Sequence, residues 1–220
     1  MRISIILLGA FLTETGLAAP FQNLGFDEAN TNSVRFQGRF PTSDLLPGWQ
    51  LFQGNVLQTN ILYNGALEFN YATIVDRSGT GIYGTSFTLG AYSLVLNDFA
   101  DHFNLFTLVQ RGDVPSDARF LSYTFAGSPF QVTINGQNLL PAVQNGAVNP
   151  IEILIDVSKY AGQNVQLTFS GAAGVFAPND PAGLRWLDNI QFEVPEPGTV
   201  TLFGLGGCAL LAAGLRRRRR

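Results

Sequence analysis

The chain has 220 residues, of which 46% are hydrophobic and only 13% charged, with 24 glycines and 18 phenylalanines; this is room for one domain with a substantial core, in the composition of short strands joined by turns. The formal charge of −3 hides a segregation: the terminal run Arg216, Arg217, Arg218, Arg219 and Arg220 holds five of the 13 basic residues, while residues 21–193 carry seven basic groups against fourteen acidic ones, a net −7. That balance excludes an electrostatic case for binding nucleic acid. The single cysteine, Cys208, lies in the C-terminal apolar run, which removes disulfides, cysteine zinc sites and thiol nucleophiles from the domain.

At the N-terminus one cation, Arg2, precedes the apolar stretch Ile3 to Leu12, then Thr13-Glu14-Thr15 and a run of small residues. This is the layout of a secretory signal peptide, a substrate of signal peptidase. Cleavage between Ala18 and Ala19 places the small residues Gly16 and Ala18 at the two positions that the peptidase reads, whereas cleavage one residue later would put Leu17 and Pro20 at unfavourable ones. Residues 1–18 are therefore read as a leader and 19–193 as the domain.

Strand patterning follows in order over Val34 to Phe40, Gly48 to Phe52, Leu67 to Val75, Ser86 to Leu96, Leu105 to Gln110, Phe120 to Phe125, Phe130 to Ile134, Ile151 to Val157, Val165 to Phe169 and Leu184 to Phe192. About ten short strands separated by turn residues predict an all-β sandwich. Leu67, Phe69, Tyr71, Thr73 and Val75 alternate with Glu68, Asn70, Ala72 and Ile74, a pattern of one face in and one face out. Asn135-Gly136 between Val132-Thr133-Ile134 and Gln137-Asn138-Leu139 is a two-residue hairpin signal. Arg111-Gly112-Asp113, with Pro115 after it, reads as a turn, and Asp156 to Ala161 as one short helical turn. No fixed-period repeat points to a propeller or solenoid.

Enzymatic signals are thin. No Gly-x-Ser-x-Gly elbow or phosphate loop is present. The single histidine, His102, sits near Asp98 and Asp101 in a polar loop, and carboxylates so close in sequence seldom face each other across a glycosidic bond. Trp49 and Trp186 are the candidates for stacking on a sugar ring, because an indole covers a pyranose while its N–H stays wet; core packing is the alternative for both, with Tyr63, Tyr83 and Tyr92 as further aromatic candidates.

The phrases Asn23-Leu24-Gly25-Phe26-Asp27-Glu28, Leu46-Pro47-Gly48-Trp49, Asp156 to Phe169 and Leu187-Asp188-Asn189-Ile190 resemble the opening and closing strands of jelly-roll carbohydrate-binding modules and galactose-binding-like domains. The resemblance implies a jelly-roll-like β-sandwich. It also implies a structural calcium ion, held by Asp27 or Glu28 together with Asp188, since oxygen ligands suit that cation. In the alternative, Asp188 only hydrogen-bonds turn amides and Asp27 caps a loop.

The chain ends with Val194-Pro195-Glu196-Pro197-Gly198, an apolar run Thr199 to Leu215 and the five arginines Arg216, Arg217, Arg218, Arg219 and Arg220. The prolines interrupt regular structure at the boundary. As a helix the run is about 24 Å long, a little short of a hydrocarbon core of ~30 Å, which arginine side chains can make up by snorkelling. The arginines act as a cytoplasmic stop by the positive-inside rule and leave the domain outside. Residues 194–220 resemble the PEP-CTERM sorting signal of exopolysaccharide-producing Gram-negative bacteria. That resemblance implies processing by exosortase after transient single-pass insertion in the inner membrane. The expectation is thus a non-enzymatic protein of the cell surface or extracellular matrix whose sandwich contacts extracellular polysaccharide. The alternatives are a secreted polysaccharide hydrolase and a purely structural matrix component.

Overall fold

The computed structural model describes residues 19–32, 38–65, 70–77, 88–97, 105–145, 150–171 and 184–194. Several sequence expectations lie outside the described residues: the leader with Ala18, the sorting motif Pro195, Glu196 and Pro197, the apolar run 199–215, and the cytoplasmic stop formed by Arg216, Arg217, Arg218, Arg219 and Arg220. The same holds for Tyr83, Asp98, Asp101 and His102.

The described chain is nearly all strand. Its elements are β1 (Gly38–Pro41), the single helical turn α1 (Thr42–Leu45), β2 (Gln50–Gln53), β3 (Val56–Leu57), β4 (Asn60–Tyr63), β5 (Tyr71–Asp76) and β6 (Tyr92–Asn97). They continue with β7 (Phe106–Asp113), β8 (Phe120–Gly127), β9 (Phe130–Ile134), β10 (Gln137–Asn138), β11 (Val143–Asn145), β12 (Ile151–Asp156), β13 (Asn164–Gly171) and β14 (Leu184–Glu193). Two sheets form: an eight-stranded one in the order β1-β4-β5-β6-β14-β8-β12-β11 and a six-stranded one in the order β10-β9-β13-β7-β2-β3. Pairing is antiparallel except between β4 and β5, where Leu62 lies opposite Thr73 and Tyr63 opposite Ile74.

The six-stranded sheet behaves as alternation predicts. Along β13, Val165, Leu167 and Phe169 are buried while Asn164 and Gln166 are exposed, as expected for a sheet with one wet face. The β9–β10 hairpin turns at Asn135 (φ 50°) and Gly136 (φ 76°), the left-handed pair that a two-residue turn needs. Ser158–Tyr160 supplies the expected short turn as a 3-10 helix.

Two sequence expectations fail here. Tyr71 through Val75 are all buried, so β5 does not present one face to water. The register puts Ile74 opposite Leu94 in the main core and Thr73 opposite Val95 on the other side of the sheet. There Val75, Val95, Ala126 and Trp186 form a second, smaller cluster. Arg111-Gly112-Asp113 is not a turn: β7 runs through it, paired with Gln166, Val165 and Asn164. The glycine is needed for close approach, since a Cβ at Gly112 would come 2.8 Å from the Phe21 ring. Phe21 belongs to an N-terminal strap in which Ala19 C=O accepts the Asp113 N–H at 3.0 Å. Gln22 and Gln110 then exchange two amide bonds, Gln22 N–H to Gln110 Oε1 at 2.7 Å and Gln110 Nε2 to the Gln22 carbonyl at 2.9 Å.

Between the layers Phe169 is the aromatic hub. It meets Trp49, Tyr123 and Phe130 edge-on, with centroids 6.3, 5.2 and 6.2 Å away, and such contacts add ~0.5–1.5 kcal/mol each beyond their area. At the parallel pair, Asn64 and Asp76 form a clasp. Asn64 Nδ2 donates to Asp76 Oδ1 and Asp76 N–H donates to Asn64 Oδ1, each at 3.0 Å, while the Tyr63 hydroxyl donates to Asp76 Oδ2 at 2.6 Å. Burial, then Asp76, raises the Tyr63 hydroxyl's pKa.

A second clamp holds the segment that leads into β6. Asp188 Oδ2 accepts the Leu89 N–H at 2.8 Å and the Ser93 hydroxyl at 2.6 Å, and its Oδ1 accepts the Asn189 N–H at 2.6 Å. From the other end of the chain, Asp27 Oδ1 accepts the N–H groups of Ala91 at 2.5 Å and Tyr92 at 3.2 Å. A side chain at Gly90 would overlap the Asp27 carboxylate. Burial raises the Asp188 pKa, with a contribution from the Asp27 charge, although its three donors pull the other way.

Two outcomes follow. Phe169→Ala should cost about 3–5 kcal/mol in urea denaturation, and a loss below about 1 kcal/mol would show that the hub is not the centre of the core. Because the folded chain holds the Asp188 proton to higher pH than the unfolded one, this group's stabilisation is full below the unfolded value of ~3.9 and is lost as pH rises through the folded value. Asp188→Asn should therefore flatten the fall in stability as pH rises above the unfolded value; parallel profiles for variant and wild type would contradict the assigned shift.

Candidate binding site

The sandwich ends where β2 finishes and β4, β5 and β7 begin. There a pocket of about 220 Å³ opens between the layers. Its polar walls come from four stretches of chain: Arg39 on β1, Gln53 and Gln58 around the β2–β3 hairpin, Asn60 at the start of β4, and Asn70 and Tyr71 at the start of β5. Ile61, Leu62, Ala72 and Phe106 give it an apolar floor.

Local structure fixes several of these groups. Thr42 Oγ1 donates to the Gln58 carbonyl at 2.7 Å, Gln58 N–H to the Leu51 carbonyl at 2.8 Å, and Gln58 Nε2 to the Val56 carbonyl at 3.1 Å. Asn60 Nδ2 donates to Thr59 Oγ1 at 3.2 Å, leaving its oxygen for another partner. Asn70 takes φ 48°, a left-handed turn that asparagine tolerates, so β5 starts with Tyr71 facing the pocket. Burial raises the Tyr71 hydroxyl's pKa, and the Asn97 side chain hydrogen-bonds it. Neutral amides, a phenol and a guanidinium over an apolar floor make a site that can bind a small polyhydroxylated unit. Among the described residues its lining holds no nucleophile paired with a base.

A second hollow, of about 240 Å³, lies along Thr42, Ser43, Trp49, Leu51 and Leu57. Its surface is more apolar, although Gln50, Gln58 and Thr59 also line it. On the wet face of the six-stranded sheet, Gln131, Arg111 and Gln166 are exposed, with no exposed tryptophan or tyrosine among the described residues of that sheet.

The tryptophans are not sugar platforms. Trp49 is 5% exposed, packs against Phe26 and Phe169, and donates from Nε1 to the Asn23 carbonyl at 3.0 Å. Trp186 is 4% exposed within the smaller cluster. Both rings are almost wholly buried, and Trp49 reaches only the wall of the second hollow. Tyr63 and Tyr92 are half-buried neighbours, with centroids 6.4 Å apart, and Tyr92 shares a hydrogen bond with Thr31 at 3.0 Å.

The structure does bring Asp27 and Asp188 to one place, the segment 88–93, but the donor set does not fit a calcium ion. Their oxygens accept four backbone N–H groups and a hydroxyl, whose positive ends face the carboxylates as a cation would. Calcium takes ~6–8 oxygen ligands. Glu28 does not join them: its side chain is exposed, and its N–H bonds Asn23 Oδ1 at 2.9 Å. Among the described residues no three metal-binding side chains cluster. The alternative reading, with Asp188 on turn amides and Asp27 capping a loop, matches the geometry.

The pocket residues carry no motif in the sequence. Gln53, Gln58 and Asn60 are ordinary turn-region amides until the fold gathers them.

Comparison with known proteins adds the following. No curated protein matches the chain. Among solved structures, it is similar to a carbohydrate-binding module of family 28, specific for non-crystalline cellulose, at 13% identity over 49% of this chain and 78% of that one (TM-score 0.33). It is also similar to TmCBM61 in complex with β-1,4-galactotriose, at 8% identity over 80% and 99% (TM-score 0.34). A third similarity is to the enzymatically active domain of bacteriophage CBA120 tailspike protein 4, at 12% identity over 67% and 19% (TM-score 0.37). Residues 193–220 match the PEP-CTERM protein-sorting motif, a span that includes Pro195-Glu196-Pro197 and the arginines Arg216, Arg217, Arg218, Arg219 and Arg220, and which marks this chain for export and for C-terminal processing by an exosortase.

Proposed function

We propose that this is a non-enzymatic protein of the cell surface or extracellular matrix whose β-sandwich binds extracellular polysaccharide through the pocket between Arg39, Asn60 and Tyr71. Signal peptidase removes the leader. The C-terminal helix then holds the chain in the inner membrane until exosortase acts.

The observation that carries the binding reading is the convergence of amide, phenol and guanidinium groups on a 220 Å³ pocket. Amides both donate and accept, which suits hydroxyl groups that do the same. The sorting tail supports the location, because a chain delivered outside meets envelope polymers before it meets cytoplasmic metabolites.

Two measurements test this. On a glycan array the full chain should bind without releasing reducing ends, and Gln53→Ala or Asn60→Ala should each weaken binding about 3- to 10-fold, the loss of one or two hydrogen bonds. Binding unchanged by both substitutions, or measurable release of reducing ends, would overturn the reading. Replacing Pro195, Glu196 and Pro197 by alanine should leave export intact and trap an unprocessed membrane form; processing at the wild-type rate would exclude the exosortase route.

A further inference from the structure

Among the described residues, the cations of the domain are already engaged, with one exception. Arg111 Nε donates to Asn164 Oδ1 at 2.7 Å. Lys159 lies 4.7 Å from the Tyr160 ring centroid, and Arg119 and Lys159 both act electrostatically on Asp156. Arg185 is fully buried in β14, and Arg77 has an interaction of its own. The Arg39 side chain is exposed, and no hydrogen bond, ion pair or electrostatic interaction with another described residue engages it.

Its position is specific. Arg39 pairs across β1–β4 with Leu62, which lies on the pocket floor, and it lines the pocket with Gln53, Gln58 and Asn60. No carboxylate is among the described lining residues, although residues 21–193 carry a net −7. In such a domain a cation without an acidic neighbour among the described residues is the feature that needs a partner.

Resting on the polysaccharide reading above, we propose that the pocket selects a sugar unit bearing a carboxylate, so that the protein's ligand is an acidic, uronate-type polysaccharide with Arg39 as its anion-binding residue. The guanidinium fork matches a carboxylate in two parallel N–H···O bonds, which an ammonium or an amide cannot reproduce. The amides around it take the hydroxyls of the same ring. Size limits the engagement to one unit: 220 Å³ is below the ~300–1,000 Å³ of pockets that enclose larger ligands. The negative charge of the rest of the domain disfavours an acidic chain elsewhere. Beyond a Debye length of about 8 Å at physiological salt that repulsion is screened, so the polymer can approach and dock at this point.

The test uses the full chain in detergent with polygalacturonate, alginate and hyaluronate as probes, each against the same polymer after its carboxyl groups are reduced to alcohols. At least one acidic polymer should bind. Carboxyl reduction and Arg39→Gln should each weaken that binding by about tenfold or more, the scale of a lost charge-assisted pair. Arg39→Lys should restore part of it, and Arg111→Gln should change it little. Arg39→Gln should leave the melting temperature near wild type, because the side chain is exposed. Equal affinity for the reduced polymers, or wild-type affinity in Arg39→Gln, overturns the acidic assignment while the polysaccharide reading stands. Binding to sulfated glycans without binding to any uronate also overturns it. If no glycan, acidic or neutral, is bound, both fall together.

Discussion

The central strands of the eight-stranded sheet, β5, β6, β14 and β8, are buried on both faces, and that constraint shapes the domain. One face lies on the main core through Ile74, Leu94, Leu96 and Leu187, and the other carries Val75, Val95, Ala126 and Trp186. Polar side chains in these strands are therefore taken out of water with the rest: Thr73, Ser93, Ser122, Thr124 and Asp188 are all buried. A buried carboxylate is tolerated only with donors around it. Asp188 has three, two from the segment that enters β6 and one from its own neighbour. The same bonds tether residues 89–93 to β14, so the solvation of the buried carboxyl and the order of this segment have one cause.

How much of this is legible in the sequence depends on where each signal resides. Asn135-Gly136 specifies its hairpin locally, because both residues accept the positive φ that the turn imposes. The strands of the six-stranded sheet are equally legible, since water on one face preserves the alternation. β5 misleads for the complementary reason: a strand covered on both faces has no polar side to show, and its apparent alternation marks nothing. Gly112 resembles a turn residue, but it is a strand residue made small for Phe21, ninety-one positions earlier in the chain. No local rule contains that contact. β4 has no clear signal because its four residues, Asn60–Tyr63, follow a two-residue strand with scarcely any turn between them.

The candidate site and the sorting tail differ in the same respect. A sorting motif carries its information in contiguous residues, and residues 193–220 are readable as such. The pocket is assembled from neutral amides on separate stretches and has no linear signature. The tryptophans stand out because they are rare, large and familiar at sugar sites, yet the same size makes them fillers of a two-layer core. Acidic residues at the two chain ends suggest a metal; the fold does unite them, but on backbone amides.

The Asn64–Asp76 clasp bears on strand register. Where a strand is apolar on both sides, sliding it by one residue exchanges one hydrophobic face for another, and burial alone scarcely distinguishes the two alignments. β5 is such a strand, and its partner β4 is parallel to it, without a tight hairpin to set the offset. The clasp provides that discrimination. The two reciprocal bonds with the Asn64 amide, one to the Asp76 carboxylate and one from its backbone N–H, and the Tyr63 hydroxyl meet Asp76 in only one alignment, and a shift by a single residue would carry the carboxylate to the opposite face and leave these partners unmatched. Selection among alignments here is a task for hydrogen-bond geometry, concentrated at the last residue of the strand.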